Sequence, residues 1–197
     1  MADEAVGIAN MALTMLGEEP ILALNEDSKP ARFCNTNYDN VRKQVLRAGR
    51  WNCATKRATL AQLADDPVWG FTRQFQLPSD FLRLNESQEP KEKWRIQGRK
   101  YLTDLSTVQI AYVFDLEDVT EMDNNLQDAI AAKLAAEICV ALTGNRELMR
   151  DITAVYRDKL AEARYQDAQE GSVEVVEGYR WVDARIGADA VFRTFGS

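Results

Sequence analysis

A chain of 197 residues, 46% hydrophobic and 28% charged, is long enough to bury one sizeable core with a smaller subdomain. It contains no histidine and carries a formal net charge of −7. The first fact removes the commonest general base, the usual transition-metal ligand and every Ser-His or Cys-His nucleophile pair; the second disfavours a tight grip on duplex DNA, which relies on Lys and Arg.

Other signals narrow the field further. Neither GxxxxGK[ST] nor GxGxxG occurs, so no phosphate-cradling loop is signalled. Cys34, Cys53 and Cys139 are far apart with no CxxC pair and read as reduced, mostly buried thiols. The acids around Asp65-Asp66 and from Glu121 to Asp128 read as solvated caps, so no catalytic residue, metal site or cofactor is expected. MADEAVGIAN carries acids where a secretory signal carries bases, and the apolar run from Ala129 to Leu142 is short and interrupted by Lys133 and Glu137. Neither export nor membrane insertion is expected.

In chain order, Ala5, Ile8, Ala12 and Met15 or Leu16 recur at helical steps, predicting a first helix over about 3–16 that Gly17 stops. Ser28 as cap and Pro30 in the first turn open a second, whose apolar positions Cys34, Tyr38, Val41, Val45 and Ala48 run to Gly49. This helix is expected to pack on the first.

From Trp51 to about Val119 the helical period disappears and β and turn signals take over. TRQFQLP (72–78) alternates, KWRIQGRKYLT (93–103) reads as a hairpin about Gly98, and TVQIAYVF (107–114) is the clearest strand. Trp69, Phe71, Phe75, Phe81 and Trp94 are expected to fill a small β core. The helical period returns at Asn124, where Asn124 and Gln127 suggest a capping box, and Leu126, Ile130, Leu134, Ile138 and Leu142 follow at four-residue spacing. Alanines on its other faces permit close packing. Gly144-Asn145 turns the chain into a fourth helix, marked by Leu148, Ile152, Val155, Tyr156, Leu160 and Ala163, with its charged faces in solvent. The short link predicts an antiparallel hairpin of helices three and four.

After Gly171 no period persists, yet Tyr179, Trp181, Ile186, Phe192 and Phe195 occur among glycines and arginines. Such a tail is suited to becoming ordered on a partner or on its own subunit. The expected fold is therefore α+β: an antiparallel four-helix bundle from 1–50 and 120–170, a β-rich insertion over 51–119 and an extended C-terminal arm over 171–197.

IANMALTMLGEEPILAL, YDNVRKQVLRAGRWNCATKRATL, FQLPSDFLRL, the Ala-rich third helix and EGYRWVDARIG together resemble the tail tubular protein A family, the head-to-tail adaptors of short-tailed bacteriophages. The resemblance touches nearly the whole chain. It implies a non-enzymatic virion protein, present in host cytoplasm during assembly, that forms a ring of twelve copies between the portal protein and a tubular protein B-like tail nozzle. DNA would pass through without tight binding, which the acidic balance suits. On this reading the arm residues Tyr179, Arg180, Trp181, Arg185, Ile186, Phe192 and Phe195 dock the portal or the adjacent subunit. Leu77, Pro78, Asp80, Gln97, Gly98 and Arg99 form the nozzle-docking turns. A carboxylate-metal nuclease and a solitary helical regulatory module are the competing classes.

Overall fold

The structure, a computed structural model, describes residues 2–87 and 93–170. Among these, four helices and two antiparallel sheets form a mixed α and β fold. Helices α1 (Ala2–Leu16) and α2 (Lys29–Ala48) come first and α3 (Asn124–Thr143) and α4 (Arg146–Glu170) last. Between them lie β1 (Thr55–Thr59), β2 (Ala61–Gln62), β3 (Arg73–Gln76), β4 (Phe81–Ser87), β5 (Trp94–Gln97), β6 (Lys100–Thr103) and β7 (Gln109–Phe114).

The helix ends follow from local chemistry. Gly17 adopts φ 72, a left-handed conformation that ends α1 without Cβ strain. The Ser28 hydroxyl accepts from the Ala31 amide at 3.2 Å, satisfying one free donor at the start of α2. At the other end of α2 the buried Trp51 indole donates to the carbonyls of Val45 and Leu46 at 3.2 and 3.1 Å. The capping box expected at α3 does not form: Asp123 holds the cap position, Asn124 is already helical, and the Gln127 amide donates back to Val119 and Met122 carbonyls. Gly144 at φ 69 then ends α3, and the Asn145 side chain accepts from the Glu147 and Leu148 amides to start α4.

Helix α3 is the hub. Leu126, Ile130, Leu134 and Ile138 are buried as their spacing predicts, and Ala129, Ala131, Ala132 and Ala135 are buried too, so little of its circumference reaches solvent. The expected packing of α2 on α1 is corrected: both helices pack chiefly on α3, whose small residues let each come close. Helix α4 pairs with α3 as expected, but buries only Ile152 and Ala163 fully.

The first sheet has strand order β1-β7-β4 and the second β2-β3-β6-β5. Strand β7 explains its own continuous apolar character: Val113 joins the helical core, whereas Ile110 and Tyr112 join a core between the sheets with Phe75, Leu77 and Tyr101. The first sheet is thus covered by helices on one face and by the second sheet on the other, which is why QIAYVF reads as nearly continuous hydrophobe. Of the five aromatics assigned to a β core, Phe75 is fully buried in it, Phe81 and Trp94 are partly buried against that core, and Phe71 is corrected to a half-buried loop residue outside it. Trp69 is corrected: it is 83% exposed, because Pro67 and Gly70 carry it in a loop outside the sheets.

Candidate docking edge

Two turns predicted from sequence converge at one edge of the β layer. The β5–β6 hairpin turns at Gly98, whose φ of 61 favours glycine, and aligns Gln97 with Lys100. The next residue, Arg99, crosses to the loop between β3 and β4, where its guanidinium donates to the carbonyls of Pro78 and Ser79 at 2.6 and 3.0 Å. The Leu77 amide donates to the Arg99 carbonyl at 3.1 Å, so backbone and side chain both close the joint. Leu77 itself is buried between the sheets and anchors the turn.

Asp80 ties the same turn inward. Its carboxylate accepts from Tyr112 Oη at 3.0 Å and from Lys56 Nζ at 3.1 Å, and its carbonyl accepts from the Asp115 amide at 2.8 Å. Lys56 Nζ also sits 3.6 Å from the centre of the Phe114 ring. Burial, then the Asp80 hydrogen bond, then its negative charge push the Tyr112 hydroxyl up to about 12, so it stays a donor at neutral pH. Leu77, Pro78, Asp80 and Arg99 therefore form one braced unit, with Asp80 and Arg99 as its internal ties.

Gln97 and Gly98 open onto a neighbouring cleft of about 430 Å³, lined also by Val68, Trp69, Phe71 and Lys100. Val68 is 100% exposed and Trp69 83%. An exposed Trp between Pro67 and Gly70 was the available signal for this half of the edge, which sequence reading assigned to the core instead. The edge combines a rigid turn, exposed hairpin polar groups and large exposed apolar side chains, a composition suited to docking another protein.

The proposed arm residues Tyr179, Arg180, Trp181, Arg185, Ile186, Phe192 and Phe195 lie outside the described residues. Burial pushes the Cys34 and Cys53 thiols up to about 11, making both poor nucleophiles near neutrality. Among the described residues no group of three or more Cys, Asp or Glu is placed to hold a metal ion, and no helix is long and apolar enough to cross a membrane. No protein-family model matches the chain, and no curated protein matches its sequence.

Proposed function

We propose that this chain is a structural virion protein: a head-to-tail adaptor that forms a ring of twelve copies between a portal and a tail nozzle and leaves a central passage for DNA. The braced docking edge carries the reading. It joins the two turns that sequence alone nominated for nozzle contact, and it adds exposed Val68 and Trp69 beside the hairpin tip. In this assignment the helices act as a four-helix bundle facing neighbouring copies, the β layer reaches the nozzle, and residues 171–197 reach the portal.

Support for the bundle's role comes from α4. Its exposed surface interleaves Val155 and Tyr165 with Arg150, Asp151, Arg157 and Asp158, a mixed apolar and paired-charge face suited to side-by-side contacts between like subunits. The chain's acidic balance keeps a conduit from adhering to DNA. The edge is tested by replacing Gln97–Lys100 with a short Gly-Ser turn and measuring nozzle attachment to portal-bound rings. Lost attachment with intact rings supports the assignment; unchanged attachment overturns it.

A further inference from the structure

Four arginines of this acidic chain surround a second concavity, away from the docking edge. The C-terminal end of α2, the last turns of α4 and the helix-facing side of the first sheet enclose a hollow of about 480 Å³ whose lining includes Arg50, Arg57, Arg83 and Arg164. A further hollow of about 460 Å³ continues from it along β1, β7 and β4, the two sharing Arg57, Glu86 and Ala111. Register explains the gap. Thr55 faces Val113, which packs under the helices, but Arg57 opposite Ala111 and Thr59 opposite Gln109 extend that face beyond them.

The arginines divide into two kinds. Arg83 donates to the carbonyls of Arg47 and Gly49 at 3.1 and 3.2 Å, and Arg164 donates to the Ala48 carbonyl, so these two close the negative end of α2. Arg50 and Arg57 are exposed and have no hydrogen bond or ion pair among the described residues. On the acidic side, Asp167 accepts from the Asn52 amide at 2.7 Å, and Glu86 stands on β4.

We propose that the groove seats residues 172–177 of its own chain. Three observations select this occupant. Helix α4 ends at Glu170, and its Arg164, Asp167 and Ala168 form the rim, so the chain leaves α4 at the groove itself. Ala168 and Arg57 line the same hollow, and the seven residues 171–177 can reach about 23 Å from the end of α4 at about 3.3 Å per extended residue. The sequence SVEVVE offers Glu174 and Glu177 as partners for Arg50 and Arg57, and Val173 and Val175 as apolar residues for a floor that includes Ala111. This seat fixes the root of the C-terminal segment and leaves residues from Gly178 onward for other contacts. It concerns a single chain and stands or falls separately from the ring.

The test uses the full-length chain with Arg57→Lys, which places a primary amine in the groove, treated with a zero-length carbodiimide cross-linker. Equal amounts of ordinary and isotope-labelled protein are mixed first, and linked peptides are read by mass spectrometry. The expected result is a same-label link from position 57 to Glu174 or Glu177, reduced severalfold when Arg50→Glu is added. Unchanged far-ultraviolet circular dichroism shows that both variants are folded. Mixed-label links would assign the groove to a second copy and overturn the proposal. Absence of any link to Glu174 or Glu177 in the folded protein would overturn it too, leaving the arginines open to another anion.

Discussion

Arg42 sets the scale of what one side chain does here. Its side chain is 2% exposed, and its guanidinium donates to Asp115 and to the Leu116 carbonyl, both at 2.6 Å, fastening α2 to the end of β7. Asp115→Ala leaves Arg42 the Leu116 carbonyl, with Asp39 at 3.5 Å and Glu117 at 3.9 Å, so the loss of this charged hydrogen bond is expected to cost about 1.5 to 3 kcal/mol in urea unfolding. Glu137→Ala, which breaks the more exposed Lys133 pair on α3, is expected to cost under about 1 kcal/mol. Asp167 is the contrary case: burial, together with the charges of Asp123 and Glu170 and opposed by the Asn52 hydrogen bond, raises its carboxyl above the ordinary aspartate value. A raised folded-state value means its contribution favours folding below the ordinary value and is lost as pH rises through the folded one. Asp167→Asn should therefore flatten stability against pH above about 4, as read by thermal unfolding across a pH series, while its amide oxygen can keep the Asn52 contact. Lys133 and Glu137 stand at the four-residue spacing a helix brings together, but the other ties were not legible in the sequence. Arg42 and Asp115 are separated by 73 positions, and only the folded chain brings them together.

At the scale of elements, the junction after α2 depends on a close approach. A Cβ at Gly49 would lie 2.5 Å from the Trp51 ring, and that ring is buried and hydrogen-bonded to α2 carbonyls. Gly49→Ala is expected to destabilise by about 1 to 3 kcal/mol, measured by chemical denaturation, because the ring must shift. Elements with strong periodicity were readable: α3 from its four-residue spacing, α2 from Ser28 and Pro30, and the hairpin from Gly98. Strand β1 was less so, since TKRAT has exposed Lys56 and Arg57 and only Ala58 packs toward the inter-sheet core. Strand β4 was obscured by two register shifts against β7, which break its alternation. The docking turns were nominated separately by their Gly and Pro residues, but their union through Arg99 depends on tertiary contact. Arg99→Ala should loosen that joint and lower nozzle attachment severalfold in a pull-down, with circular dichroism unchanged.

At the scale of the whole molecule, α3 and the two-sided first sheet hold the described parts together. Helices α2 and α4 present interspersed charge rather than a continuous apolar seam, so the isolated protein is expected to be mostly monomeric by light scattering and to assemble on a portal template. The helical core and the core between the sheets are both built within the described residues 2–87 and 93–170. A chain ending at Glu170 should keep its helical content, lose only the small contribution of exposed ion pairs from its thermal transition, and lose stable portal binding. Trp181→Ala should weaken binding severalfold, since a large buried aromatic contributes about 1.5 to 3 kcal/mol. Electron-microscope images of the full-length protein mixed with assembled portal test the central claim most directly. The account predicts a closed twelve-subunit collar on one end of the portal; portals left bare at saturating protein, or decorated by scattered single copies, would contradict it.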